Sequence, residues 1–228
     1  MNSRKNILYL AICLLPLFFS CKKKVLPPPD MKYSYFPTNV GHWVIYDVDS
    51  LYHNDYDCMI HPYHFQIKEI ITEEFYDAQG LLSQRIERYT RSSDTSSWKI
   101  RNVWTSNLTK TTAERTEENQ RYVKLIYPPA VDKSWNGNSF NTIGEWGYQY
   151  SSVDEPSSDI VLNFDSTLTV EQTGKNDPLI YTQHGKEVYA KNVGMIYKEQ
   201  TDLRYNTTRP TGCDSGSVYK ITLVSYSK

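Results

Sequence analysis

Side chains capable of chemistry are packed most densely between His53 and His64 of this 228-residue sequence. His53, Asp55, Asp57, Cys58, His61 and His64 contain a Cys-x2-His-x2-His spacing, and zinc asks for four such ligands converging on a tetrahedron. The segment suits that poorly. Pro62 bends it, and His61 and His64 fall on opposite parities of a strand. His53, Cys58, His61 and His64 are therefore weak ligand candidates, and solvated loop histidines with no metal are the expectation. For calcium, Asp47, Asp49 and Asp55 lack the sixth-position glycine and twelfth-position acid of an EF-hand loop. Glu73-Glu74 and Glu117-Glu118 offer carboxylates of the kind a glycosidase pairs. Adjacent strand residues point to opposite faces, so neither doublet spans one cleft. No nucleophile elbow, zinc-protease helix, P-loop or dinucleotide fingerprint occurs. The expectation is a protein without catalytic residues and without a cofactor.

Cysteine carries clearer chemistry. Arg4 and Lys5, an apolar run from Ile7 to Phe19 and the small Ser20 are the three parts of a signal peptide. The run is about thirteen residues, short of the roughly twenty that span a bilayer. Leu17-Phe18-Phe19-Ser20-Cys21 looks like a lipobox, so Cys21 is the expected lipidation site and new N-terminus. Each acyl methylene buried contributes about 0.8 kcal/mol, and one chain binds only marginally, so two or three chains (palmitate among them) make Cys21 a stable membrane anchor. Lys22–Lys24 and Pro27–Pro29 read as an extended tether, giving the division 1–20 signal peptide, 21–34 lipidated tether and 35–228 single domain. With Cys13 removed and Cys21 acylated, Cys58 and Cys213 remain. In an exported chain the pair reads as a disulfide, with two free thiols as the alternative.

These groups need a scaffold. Removal of Arg4 and Lys5 leaves 23 basic against 26 acidic residues, a balance that argues against nucleic acid. Nineteen tyrosines and five tryptophans recur with β-branched residues in runs bounded by turn signals. Strand runs are expected at 41–49, 64–76, 81–91, 98–104, 122–127, 146–153, 160–170, 192–200 and 218–225. Ser50 to Asp57 reads as a break, and Asp77-Ala78-Gln79-Gly80 as a hairpin turn. Thr111 to Gln120 is ambiguous between helix and strand, and Glu187 to Lys191 reads as one helical turn. The predicted fold is mainly β: a single antiparallel, curved sheet, half-barrel or barrel-like meander, with at most one short helix. Gly41 and Gly194 mark bulges or close approaches. Asn136-Gly137 is a tight-turn signal beneath Trp135.

The opening Tyr35-Phe36-Pro37 and Val40-Gly41-His42-Trp43-Val44-Ile45-Tyr46, the middle Trp135-Asn136-Gly137-Asn138 and the late Tyr189-Ala190-Lys191-Asn192-Val193-Gly194-Met195-Ile196-Tyr197-Lys198-Glu199 resemble uncharacterised Bacteroidota lipoproteins. The resemblance implies a curved antiparallel sheet similar to carriers of the LolA and LolB kind, and no activity. It makes Trp43, Trp135, Gly137 and Gly194 structural. Surface-exposed lipoproteins of that group resemble one another in acidic residues after the lipidated cysteine. Lys22–Lys24 stand there instead, which points to the periplasmic face of the outer membrane.

Three functions compete. The first is a membrane-anchored, non-catalytic binding or structural module of the cell envelope, whose partner is an unidentified protein, glycan or apolar ligand. The second is a carrier or assembly factor for lipid or lipoprotein, and the third a hydrolase with scattered carboxylates.

Overall fold

Alternation of apolar and polar residues with a period of two makes almost every run of this chain a strand. In a computed structural model, which describes residues 27–157, 162–177, 179–206 and 213–227, twelve strands form one antiparallel sheet. Met31–Lys228 cluster as one unit, separate from Met1–Asp30. The signal peptide, Cys21 and Lys22–Lys24 lie outside the described residues.

The first six strands are β1 (Trp43–Asn54), β2 (Met59–Tyr76), β3 (Leu82–Arg91), β4 (Lys99–Leu108), β5 (Thr112–Glu117) and β6 (Gln120–Ile126). The second six are β7 (Ser134–Asn136), β8 (Gly147–Glu155), β9 (Thr167–Asp177), β10 (Tyr181–Ala190), β11 (Gly194–Arg204) and β12 (Ser215–Tyr226). β1 pairs with β12, so the two six-stranded meanders are continuous and β6 and β7 are left as the edges. Those edges meet. Val123 N–H donates to the Gly137 carbonyl at 2.8 Å, Trp135 Nε1 donates to the Val123 carbonyl at 2.8 Å, and the Tyr150 hydroxyl bonds both backbone groups of Ile126. The sheet is thereby curled into a nearly closed barrel, which leaves few unpaired edge groups.

One end of the barrel is plugged by the chain's own entry. The 3-10 turn Tyr33–Tyr35, the one helical element among the described residues, buries Tyr35 completely and donates its hydroxyl to Asp154 at 2.7 Å. Asn192 N–H donates to the Ser34 carbonyl beside it. Gly194 takes φ +88°, and a Cβ there would lie 3.3 Å from the Pro37 ring, so glycine serves both the turn and the close approach. Inside, one core gathers Tyr46, Val48, Ile67, Ile196 and Leu223, and a second gathers Tyr35, Leu125, Tyr150, Leu168 and Val170. Each fully buried apolar side chain of this size contributes about 1.5–3 kcal/mol.

Several expectations are corrected. Ser50–Asn54 continue β1 instead of breaking it, because they are paired on both sides, by Tyr63 to Met59 and by Tyr219 to Gly216. Thr112–Glu117 is a strand, since pairing with β4 and β6 overrides the helix propensity of Ala113, Glu114 and Arg115. Glu187–Ala190 ends β10 and is no helical turn. Of the run expected at 160–170, residues 160 and 161 lie outside the described residues, and among the rest the strand begins at Thr167. Asn136-Gly137 opens a turn as expected, with Ser139 N–H donating to the Asn136 carbonyl at 3.3 Å, and Gly137 is also needed for room: a Cβ would come within 2.4 Å of the Tyr148 ring.

Candidate functional site

The interior face is set by register. Phe65, Val48, Ile221, Lys198, Glu187, Val170 and Tyr150 face one another in turn from β2 through β1, β12, β11, β10 and β9 to β8. Lys198 and Glu187 thus interrupt an apolar row with an ion pair. On the facing wall Glu69 of β2 stands opposite Arg88 of β3, which stands opposite Asn102 of β4.

These charges form a belt across the lumen. Glu187 is fully buried; its Oε1 accepts from Lys124 Nζ at 2.6 Å and Lys198 Nζ at 3.1 Å, and its Oε2 accepts from the Tyr189 hydroxyl at 2.6 Å. Glu69 accepts from Arg88 Nε at 2.8 Å and from Arg115 Nη2. Glu117 joins the halves, 3.8 Å from Lys124 and 4.0 Å from Arg115. Both Arg88 and Arg115 lie over the Trp104 ring, 3.4 Å and 4.8 Å from its centroid.

Burial alone would raise the Glu69 carboxyl, but the charges and hydrogen bonds of Arg115 and Arg88 outweigh it and hold its pKa at about 2. Glu187 follows the same logic: burial pushes it up, and Lys124 and Lys198 bring it well below the carboxylate range. Burial would lower Lys198, yet Tyr219 and Glu187 hold it well above its ordinary value. Glu69, Glu187 and Lys198 are thereby held in their charged forms at neutral pH.

Two cavities meet at the belt. The narrow one, about 60 Å³, lies toward the plug and is lined mainly by apolar groups such as Val44, Ile71, Ile86 and Val193. The wide one, about 620 Å³, lies toward the β1–β2, β3–β4 and β5–β6 hairpins and reaches solvent past the exposed Arg101 and Glu118. Glu69, Arg115, Lys124 and Met195 line both.

No family model matches this chain, and no curated protein is significantly similar to it. Two solved structures resemble it. One is a Bacteroides fragilis protein with a YmcC-like fold, inferred to be exported, with 11% identity and a TM-score of 0.44, covering 85% of this chain and 98% of that one. The other is a Parabacteroides distasonis protein inferred to be a lipoprotein, with 9% identity, a TM-score of 0.41 and the same coverages.

Apart from Glu117-Glu118, the residues singled out from sequence lie elsewhere. Cys58 and Cys213 form a disulfide, with Cα atoms 4.2 Å apart, that ties the β1–β2 tip to the loop before β12. His61 bonds Asp57 at 2.9 Å, and His64 bonds Asp49 at 2.8 Å, an interaction that raises the His64 pKa. Among the described residues no three ligating side chains are grouped to hold a metal. Trp43 is half-buried with Lys68 over its ring, and Trp135 packs on Tyr148 and Tyr150 at the seam. The doublet Glu117-Glu118 sends one carboxylate to the belt and the other to Asn102 and Trp104 Nε1. The residues sequence reasoning missed are Glu69, Arg88, Lys124, Glu187 and Lys198.

Proposed function

We propose that this chain is a lipid-anchored cell-envelope protein, held by Cys21 at the periplasmic face of the outer membrane, and that it is a non-catalytic binding module whose ligand occupies the wide lumen. The signal and lipobox support the anchor. The observation that carries the binding reading is the preorganised cavity of about 620 Å³, within the 300–1,000 Å³ usual for small-ligand sites. Its inner charged groups, Glu69, Arg88, Arg115, Lys124, Glu187 and Lys198, are fixed in pairs before any ligand arrives, so little ordering of them accompanies binding.

The same pairing argues against catalysis. A general acid or base works best with a pKa near the operating pH, and Glu69 and Glu187 are each held far below it by two cations. A lipid carrier finds little support either, because the apolar end has room for only a few waters. A protein partner is a second reading, favoured by exposed Tyr52, Tyr56, Met59, Ile60 and Tyr63 around the β1–β2 tip.

Native mass spectrometry of the protein extracted from its own membrane tests both halves. An acylated Cys21 peptide and a co-purifying small polar molecule are expected. Membrane retention of Cys21→Ser refutes the anchor, and a lumen that takes no small molecule refutes the binding module. Protease shaving of intact cells checks the face: protection until the outer membrane is breached is expected.

A further inference from the structure

Arg101 owes its position to an irregularity in the sheet. In the β3–β4 ladder Arg88 faces Asn102 and Tyr89 faces Ile100, so Arg101 has no residue across from it. An extra residue of this kind bends its strand and re-aims its side chain. Here the guanidinium sits 5.4 Å from the Phe65 ring centroid, at the rim of the wide lumen.

Its charge is uncommitted, unlike those beneath it. Arg88, Arg115, Lys124 and Lys198 each lie within 4.0 Å of a carboxylate, whereas among the described residues Arg101 makes no ion pair. The nearby Glu118 attracts Arg101 but forms no ion pair with it, its Oε1 accepting instead from Asn102 and Trp104 Nε1. The lumen lining therefore holds five cations against four carboxylates, Glu69, Glu117, Glu118 and Glu187.

We infer that the wide lumen binds a small anion, carboxylate or phosphate, whose acidic group engages Arg101 at the mouth. The inference rests on the lumen being a binding site and adds the class of ligand. A guanidinium fork is matched to an oxyanion, and a cleft with one surplus positive charge between low-dielectric walls concentrates anions.

The test is calorimetric titration of the folded domain with glucuronate and with inorganic phosphate, at low ionic strength, and with uncharged maltotriose as a third probe. Binding of at least one anion is expected, weakening as sodium chloride is added. Preference between the two anions distinguishes a carboxylate from a phosphate source. Arg101→Ala, at an exposed position and checked for folding by circular dichroism, should weaken it at least about tenfold. Arg101→Lys should restore part of the loss. Lys68→Ala, on the Trp43 side and away from the lumen lining, should leave binding unchanged. Equal anion affinity in the wild type and Arg101→Ala, or an equal loss in Lys68→Ala, overturns the inference. Binding of maltotriose but of neither anion overturns it too, yet leaves the lumen as a binding site; binding of none of the three overturns both.

Discussion

Glu187→Gln isolates what the charged belt contributes to the fold. Glutamine keeps the size and one oxygen acceptor, so the change removes charge and little else. Two ammonium groups, at 2.6 and 3.1 Å, then lose their counter-ion in a place with no exposure to water. At an effective dielectric near 20 each pair at about 3 Å carries roughly 5 kcal/mol of attraction. Lys124 retains Glu117 at 3.8 Å, whereas Lys198 is left with the Tyr219 ring, 5.7 Å away. Breaking a buried pair from one side costs about 3–5 kcal/mol, and with one lysine still partnered the expected loss is about 3 kcal/mol. Urea unfolding at pH 7 reads it as a lower midpoint at unchanged slope. The double variant Glu187→Gln with Lys198→Met removes the orphaned charge and should recover at least about 1 kcal/mol. A single-variant loss below about 1 kcal/mol, or a double variant less stable than the single, would refute the argument.

Acid should destabilise the wild type in a defined window. The Glu69 pKa of about 2 lies below its ordinary 4.5, so its contribution of about 3 kcal/mol is complete above pH 4.5 and lost as pH falls toward 2. Urea midpoints between pH 7 and pH 3 should show a decline that Glu69→Gln flattens. Replacing Cys58 and Cys213 by serine opens a loop of 155 positions and should lower stability by about 5 kcal/mol on the chain-entropy model, read by calorimetry against the oxidised protein. Gly137→Ala forces a Cβ against the Tyr148 ring beside the seam, and a loss of about 1–3 kcal/mol is expected, with faster amide exchange at Val123 as the local readout.

The all-β class and the β2–β3 hairpin were legible because they rest on local chemistry. Phe65, Ile67 and Ile71 alternate along β2, the basis for reading 64–76 as a strand, and Asp77 accepts from Gln79 and Leu81 N–H while Gly80 supplies φ +75°. Closure was not legible. It depends on Tyr150 meeting Ile126 and on Trp135 meeting Val123, contacts between edge strands that no periodicity announces. Two strands, β7 and β10, were passed over and a third, β5, was left open between helix and strand, for related reasons. β7 has only three residues, β5 carries helix-forming residues, and β10 begins Tyr181-Thr182-Gln183-His184-Gly185 with no apolar alternation.

The belt did leave a trace in the sequence, in the form of charges on the wrong parity. Glu69 stands between Ile67 and Ile71 on the face that also holds Phe65, and a carboxylate there is either exposed by a break in the sheet or buried with a partner. Arg88 differs in parity from Arg85, Glu87 and Arg91, and it alone of the four turns inward, to a side-chain exposure of 7%. Either residue alone reads as a solvated exception. Together they are complementary, but the register of the Asp77–Gly80 turn, with Tyr76 opposite Leu82, would put Glu69 opposite Tyr89, and it is the bulge between Ile71 and Glu73 that brings Glu69 opposite Arg88. The signal is therefore not a motif but a coincidence of two parity violations of opposite sign in paired strands. Glu187 and Lys198 are a second such pair, opposite each other in the β10–β11 hairpin, but β10 gives no strand signal to expose them; Lys124 escapes the test altogether, because its meeting with Glu187 joins β6 to β10 and needs the barrel to be closed first. A sheet that opened at the β6–β7 seam would separate Lys124 from Glu187, so the belt and the seam stabilise one another. This coupling predicts that Glu187→Gln also speeds amide exchange at Val123, across the lumen from the substitution; unchanged exchange there would show that the seam holds without the belt.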